Sequence, residues 1–194
     1  RYEGFDYDAA VTFPFGYGLS YTTFERELLE VTREGERVSV RARVTNAGQV
    51  AGRDVVQVYG SAPYTGAVEK SAVVLLAFAK TAELAPGASE EVGLSFAVRD
   101  LASWSGDRGA WLLEAGSYEV SLRSDSHTVV GARTLELGET VYATDSATGA
   151  SVANPFDDVT ASLETHSPPP TRADFARPFP TRTADRTAHT GDVT

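Results

Sequence analysis

The sequence predicts an all-β fold, a two-sheet antiparallel sandwich followed by an irregular, proline-rich tail. Two observations carry this prediction. Apolar residues alternate with polar ones in several short segments, and turn-forming residues recur at short intervals between residues 21 and 138. Alternation with period two gives a strand one apolar and one polar face, as in a half-buried sheet. No segment shows an equally strong helical repeat.

The alternation is clearest around Val40, where arginine and serine separate the apolar side chains, and it returns around Leu94 and Val120. About seven strands are predicted, which fits an immunoglobulin-like or fibronectin type III-like sandwich. Asp100–Trp104 is expected to form a single helical turn, because Asp is a good N-cap. The predicted strands are, in order, Phe24–Val31, Val38–Val44, Val55–Tyr59, Val73–Phe78, Val92–Val98, Tyr118–Leu122 and Val129–Leu137.

Tyr118 stands at the start of a predicted strand, two residues after Gly116. Sandwich domains often place a corner tyrosine there, whose hydroxyl bonds the backbone a few residues upstream. An inward-facing strand aromatic would fit the sequence equally well. Neither alternative gives Tyr118 a catalytic role.

Length and composition exclude several classes of function. The chain has 194 residues, a formal net charge of −10 and no cysteine. A complete (β/α)₈ barrel needs about 250 residues, and without cysteine there are no disulfides or thiolate-bound zinc. An acidic surface repels phosphate and anionic lipid, and no apolar run is long enough for a membrane span. Neither nucleic acid nor a membrane is therefore predicted as a partner.

The segment Phe13–Phe24, which we call the aromatic segment, is the most informative part of the chain. Its five aromatic rings are separated by two glycines and a proline, a pattern typical of a tight turn that enters a strand. The rings could stack on a sugar, but clustered aromatics on a connecting segment more often pack against a neighbouring domain. We expect such packing for Phe13, Phe15, Tyr17, Tyr21 and Phe24.

The sequence contains no convincing catalytic or metal-binding group. Glycosidic hydrolysis needs two converging carboxylates, but Glu90 and Glu91 are strand neighbours that point to opposite faces. The remaining acidic pairs, Asp6 with Asp8 and Asp157 with Asp158, are expected to be solvated. The three histidines lack metal-ligand spacing. No catalytic residue, metal or cofactor is predicted. The histidines are His127, His166 and His189.

The aromatic segment, FPFGYGLSYTTF, resembles the junction that leads into the fibronectin type III-like domain of glycoside hydrolase family 3. Further segments resemble that domain in the same order, with Ala77 where the family commonly has glycine. They are Val44-Thr45-Asn46-Ala47-Gly48, Gly52 with Val55–Tyr59, Glu69-Lys70, Leu76-x-Phe78-x-Lys80, Leu84-x-Pro86-Gly87-x-Ser89, Asp100-Leu101-x-x-Trp104, and Trp111 with Glu114-Ala115-Gly116-x-Tyr118.

The resemblance implies a non-catalytic accessory domain of a β-glucosidase-like enzyme, whose catalytic carboxylates lie in a barrel and an α/β sandwich domain. We therefore expect this chain to be inactive alone, to have those domains as partners, and to meet oligosaccharide only through the parent enzyme. The alternative is a freestanding module that binds carbohydrate or protein. Tyr64, in the loop Ser61–Val68, is a candidate substrate contact, although an exposed turn residue is the simpler interpretation.

The same resemblance predicts a domain organisation. Residues 1–20 would be the end of a preceding α/β sandwich domain together with the aromatic junction, and residues 21–138 the β-sandwich. Residues 139–194, which hold most of the prolines, would be an extended linker toward a missing domain, and they resemble the connector of circularly permuted family members. Their composition offers too little apolar surface to fold alone. Nothing in the sequence assigns a compartment.

Overall fold

The computed structural model describes residues 11–154, which form ten strands and one 3₁₀ turn, Val98–Leu101. The strands are β1 Phe24–Glu34, β2 Arg37–Asn46, β3 Val55–Ser61, β4 Val74–Lys80, β5 Ser89–Ala97, β6 Ser103–Ser105, β7 Ala110–Leu113, β8 Gly116–Arg123, β9 Val129–Leu137 and β10 Thr140–Tyr142.

The strands form two large sheets and one small one. The first sheet has the order β1-β2-β5, and the second sheet has the order β4-β3-β8-β9. The small third sheet has the order β10-β7-β6. Every pairing is antiparallel, so the predicted all-β sandwich is confirmed.

One apolar core lies between the two large sheets. Val40 of the first sheet and Val58 of the second belong to the same buried cluster, and both are almost inaccessible to solvent. Burying a valine side chain stabilises a fold by roughly 1.5 to 3 kcal/mol relative to leaving it exposed. Because strand side chains alternate, the residues on either side of these valines point to the outer faces of the sheets.

All seven predicted strands are present, and three more were missed. The missed strands β6, β7 and β10 have only three or four residues each, too few for alternation to be visible. The predicted helical turn is misplaced, because it lies at Val98–Leu101. Asp100 acts from inside that turn, where its Oδ2 accepts a hydrogen bond from the Ala97 backbone N–H at 2.9 Å.

Tyr118 is a corner tyrosine. Its ring is buried, and its hydroxyl donates to the backbone oxygen of Glu114 at 2.9 Å. Burial, together with the nearby charge of Glu114, raises the pKa of Tyr118 to about 12. The hydroxyl therefore stays protonated and can hold the turn that enters β8 at any physiological pH.

Regular structure continues past Gly138, where the sequence places the start of the linker. Strand β10 pairs with β7, and the hydroxyl of Tyr142 donates to Glu36 Oε2 at 2.8 Å. A tight turn follows, in which Asp145 Oδ1 accepts hydrogen bonds from the backbone N–H groups of Ala147 and Thr148. The rest of the predicted linker, residues 155–194, lies outside the described residues, as do residues 1–10.

Candidate functional site

The aromatic segment begins on the outer face of the second sheet. Two outward side chains of β3, Gln57 and Tyr59, would be exposed on a bare sheet, yet only 7% and 1% of their surface is accessible. Backbone oxygens of the aromatic segment accept hydrogen bonds from both side chains. The segment therefore covers this face of the sheet as an additional layer.

Three donors hold the start of the aromatic segment. The Ser126 backbone N–H and the Tyr59 hydroxyl donate to the backbone oxygen of Phe15, at 2.8 Å and 3.4 Å. Gln57 Nε2 donates to Gly16 O at 3.0 Å and also to Ser124 O at 3.0 Å. The Tyr59 hydroxyl is closer to Oε1 of the same amide, at 2.8 Å, so its single proton is shared between Gln57 Oε1 and Phe15 O.

Gly16 is required at the point of closest approach. Its φ is +83°, a conformation that L side chains rarely adopt, and a Cβ there would lie 2.2 Å from Gln57 Oε1. Gly18, two residues further on, has open space where its Cβ would be. Of the two glycines in the segment, only Gly16 occupies a position where a side chain would collide with the anchor residue Gln57.

Asn46 holds the other end of the aromatic segment. Its side chain is completely buried, and Oδ1 accepts from Thr22 Oγ1 at 2.7 Å and from the Gly48 N–H at 3.1 Å. Its Nδ2 donates to the backbone oxygens of Val50 and Leu84, both at 2.8 Å. One amide thus joins the end of the aromatic segment, the β2–β3 loop and the loop before β5.

The side chains between these anchors point into solvent. Tyr21 is fully exposed, and Phe13 and Phe15 are 68% and 64% exposed. Together with Tyr17 and Leu19, which are also exposed, they form what we call the aromatic surface. A backbone fixed at both ends and carrying exposed apolar groups is typical of a surface that another folded body covers.

A groove of about 710 Å³ runs beside the aromatic surface, and Phe78 of β4 lines it together with Phe15. An ion pair forms part of its wall, where Arg26 Nε and Nη2 each lie 2.6 Å from one carboxylate oxygen of Asp54. Such bidentate pairs are among the stronger charge-assisted hydrogen bonds. The groove therefore combines apolar rings with a rigid polar contact.

Phe24 differs from the other four predicted packing residues. It is only partly exposed and packs against the core of the sandwich. Because β1 begins at Phe24, this ring lies where the aromatic segment becomes part of the sheet. The structure thus brings Phe13, Phe15 and Tyr17 together near the groove, with Tyr21 further along the segment.

Tyr64, the candidate substrate contact, is half-buried in the β3–β4 loop. Its hydroxyl donates to Glu69 Oε2 at 2.8 Å. The same loop supplies Lys70, whose ammonium forms a buried ion pair with Glu114, and Thr65, whose hydroxyl donates to Glu114 Oε1 at 2.7 Å. The loop is therefore held in one conformation against the start of β8.

The buried pair determines the ionisation of Glu114. Burial alone would raise the pKa of this carboxyl group, but the hydrogen bonds from Lys70 and Thr65 and the charge of Lys70 lower it below its usual range. Glu114 is consequently ionised near neutral pH and serves as the acceptor that fixes the loop.

The described residues do not bring together the carboxylate pair considered for catalysis. Glu91 faces outward and binds Arg43, whereas Glu90 Oε2 accepts from the Ala82 backbone N–H at 2.8 Å. Asp6, Asp8, Asp157 and Asp158 lie outside the described residues, as do His166 and His189. His127 is half-buried in the turn before β9, where its backbone N–H donates to Asp125 Oδ1.

Residues 11–154 contain no cluster of three or more histidine or acidic side chains suited to a metal ion. Within the same residues, no helix has the length and apolarity that crossing a membrane requires.

Sequence reasoning missed the buried polar anchors. No structural role is assigned to Asn46 from the sequence, although it follows Val44 by two positions and so belongs to the buried face of β2. That alternation was the available signal. No comparable sequence signal indicates the pairing of Lys70 with Glu114, because the two residues are far apart in sequence and meet only through the fold.

Comparison with known proteins agrees with the sandwich fold. Residues 54–126 match the family model described as a fibronectin type III-like domain. The chain therefore carries a fibronectin type III-like domain, and that domain is of the kind found in family 3 β-glucosidases.

Two curated relatives illustrate the likeness. The chain is 40% identical over 124 residues to Beta-glucosidase B of Emericella nidulans, a match that covers 63% of this chain and 14% of that protein. It is 42% identical over 124 residues to a β-glucosidase of Ruminococcus albus, a match that covers 59% of this chain and 12% of that protein. The chain thus spans only a small part of the length of the relatives it matches.

Solved structures give the same result. β-Glucosidase 3B from Thermotoga neapolitana, in complex with glucose, matches with 45% identity and a TM-score of 0.62 over 68% of this chain and 18% of that one. The GH3 β-glucosidase of Bifidobacterium adolescentis matches with 36% identity and a TM-score of 0.62, over 69% of this chain and 20% of that one. In each case the matched region is one part of a larger β-glucosidase.

Proposed function

We propose that this chain is a non-catalytic accessory domain of a family 3 glycoside hydrolase, and that it stabilises the catalytic domains by docking through the aromatic surface. The parent enzyme would hydrolyse β-glucosides. The single observation that carries this proposal is that the aromatic segment is anchored at both ends, through the backbone oxygens of Gly16 and Thr23 and the Thr22 hydroxyl, while its rings stay exposed.

Gln57, Tyr59 and Asn46 are buried polar side chains, and each needs hydrogen-bond partners to avoid a desolvation penalty of roughly 1 to 3 kcal/mol. These three side chains hold in place a segment whose own rings contribute little to the core. Such an arrangement favours a preformed contact surface, since docking then requires little additional ordering.

The partners inferred here are the other domains of the parent, an α/β sandwich domain and a barrel. Support comes from the larger β-glucosidases in which the matched region lies. The working carboxylates would belong to those domains, and the chain alone should release no chromophore from 4-nitrophenyl β-glucoside above buffer. Turnover that disappears when one acidic side chain of this chain is amidated would overturn the proposal.

The decisive experiment compares Phe15→Ser in the parent enzyme and in this chain by itself. In the parent, exposure of the docked rings should accelerate thermal inactivation by about tenfold, because burying a phenylalanine contributes roughly 1.5 to 3 kcal/mol. In the isolated chain the same substitution should leave the melting temperature almost unchanged, because the ring is already 64% exposed.

The matched control is Arg41→Ser on the outer face of the first sheet, which should leave inactivation of the parent unchanged. Equal inactivation rates for the parent and its Phe15→Ser variant would show that the aromatic surface is not a docking surface.

A further inference from the structure

A second hollow lies away from the aromatic surface, between the β3–β4 loop and the β6–β7 hairpin. Its volume is about 520 Å³, within the range of about 300 to 1,000 Å³ that small-molecule sites occupy. Glu69 lines it from the loop, and Trp104 and Asp107 line it from the hairpin. The hollow therefore has an aromatic side chain and two carboxylates contributed by two different walls.

The loop wall of the hollow is preformed. Glu69 Oε2 accepts from the Tyr64 hydroxyl at 2.8 Å, and the next residue, Lys70, forms the buried ion pair with Glu114. The Lys70 side chain is only 4% exposed. A buried ion pair rarely adds net stability, but it fixes one geometry, because any other arrangement leaves a buried charge uncompensated. The position of the Glu69 backbone is thereby fixed.

The hairpin wall is also rigid. Trp104 of β6 and Trp111 of β7 are paired across the hairpin, with ring centroids 5.7 Å apart and planes inclined by 78°. This edge-to-face contact limits the motion of both rings. Trp104 is still partly exposed and lines the hollow. Its indole is therefore an accessible apolar surface held in a fixed orientation.

We propose that this hollow binds a pyranose sugar. The indole of Trp104 would pack against the apolar face of the ring, and the carboxylates of Glu69 and Asp107 would accept hydrogen bonds from its hydroxyl groups. No lysine or arginine is among the residues that line the hollow, so a phosphate or carboxylate ligand would meet only negative charge. The volume also exceeds what one ammonium or guanidinium group of a protein partner would fill.

This site is distinct from the docking surface and would let the domain contact carbohydrate directly, rather than only through the parent enzyme. Its existence does not depend on docking. The chain has two tryptophans, and both belong to this hairpin. Because the chain also has eight tyrosines, the emission is excited at a wavelength that only tryptophan absorbs, and it then reports on this region alone.

The test is a fluorescence titration of the full chain with cellobiose, and with sorbitol as a polyol that has no ring to stack. We expect a saturable change in tryptophan emission with cellobiose at millimolar concentrations, and only a linear or absent response with sorbitol. Asp107→Asn should weaken the apparent affinity about tenfold, because the site loses a charged hydrogen-bond acceptor. Glu83→Gln removes an exposed carboxylate that does not line the hollow and should bind as the wild type does.

An absent or non-saturable response to cellobiose would overturn the proposal. So would a saturable response of equal affinity in the Asp107→Asn chain, or one that sorbitol reproduces. Far-ultraviolet circular dichroism of each variant checks that the sandwich is intact, and Glu69→Gln provides a second variant on the opposite wall. None of these outcomes changes the docking test, which reads inactivation of the parent enzyme.

Discussion

The outer faces of the two large sheets differ in what lies on them. The outer face of the first sheet carries a network of exposed charges. In it, Arg43 binds Glu27 and Glu91, and Arg41 binds Glu30 and Glu91, over N–O distances of 2.8 to 3.4 Å. The second sheet has buried polar side chains and one partly buried pair, Arg123 with Glu119 at 3.1 Å, and a separate piece of chain lies over Gln57 and Tyr59.

This difference supports the proposal that the domain docks through the side of the second sheet. The charged face is compatible with water as it stands, because cross-strand pairs of opposite charge satisfy one another at the surface. The covered face exposes rings that water solvates poorly. We infer that the first sheet faces solvent and that contact with other domains is confined to the side of the second sheet.

The largest effect is expected from removing the Asn46 amide, which joins the aromatic segment to the first sheet. Asn46→Ala should lower the free energy of unfolding by about 3 kcal/mol, because four groups lose a buried hydrogen-bond partner at once. Urea unfolding measures this loss. Thr45→Ala, on the outward side of the same strand, is the control and should cost far less. Equal losses would mean that the amide network adds nothing.

A smaller effect is expected where the aromatic segment passes closest to the second sheet. Gly16→Ala should cost about 2 kcal/mol, since it places a Cβ at positive φ and 2.2 Å from Gln57 Oε1. Gly18→Ala has open space and should be nearly neutral. Hydrogen exchange of the Ser126 amide, which donates to Phe15 O, should accelerate only in the Gly16 variant. Unchanged exchange there would contradict the anchor.

Tyr118→Phe tests whether instability in the core alone releases the aromatic segment. Loss of the hydrogen bond to Glu114 O should cost about 1 kcal/mol. Exchange of the Ser126 amide should nevertheless stay slow relative to the Gly16→Ala chain, because Tyr118 lies on the inner side of the second sheet. Rapid exchange in this variant would show that the segment and the core come apart together.

The smallest effect belongs to the charged face. The hydrogen bond from Arg43 lowers the pKa of Glu91 below its ordinary value of 4.5. A carboxyl group with a lowered folded pKa stabilises the fold above its unfolded pKa, and this contribution is lost as the pH falls through the folded value. Glu91→Gln should therefore cost little at pH 7 and nothing at pH 3 or in 1 M salt, as thermal unfolding would show. A loss that persists in salt would indicate more than a surface pair.

Much of this contrast could be predicted from the sequence, because alternation depends on neighbouring residues alone. The strand around Val40 was recognised by its arginines and valines, and the rings from Phe13 to Tyr21 suggested a contact surface. Period two also distinguishes which arginines face outward. These features depend on the order of residues within a few positions, which a sequence displays directly.

The anchors could not be predicted in the same way. Gln57 looks like one more polar residue in a strand, and only the chain lying over it makes that side chain buried. Lys70 and Glu114 are 44 positions apart in the sequence, with strands β4 to β7 between them, and their contact requires both loops in place. The tryptophan hairpin was missed because strands of three or four residues show too little alternation.

The anchor at Phe15 also constrains the order of events during synthesis. The aromatic segment leaves the ribosome before the sandwich, but the Ser126 amide that binds Phe15 O lies in the turn after β8. Until that turn has emerged, the backbone that carries the exposed rings is not fixed at Phe15, and the rings can make other contacts with chaperones or other nascent chains. We expect slow translation of the second half of the domain to increase the demand for chaperone capture of its first residues.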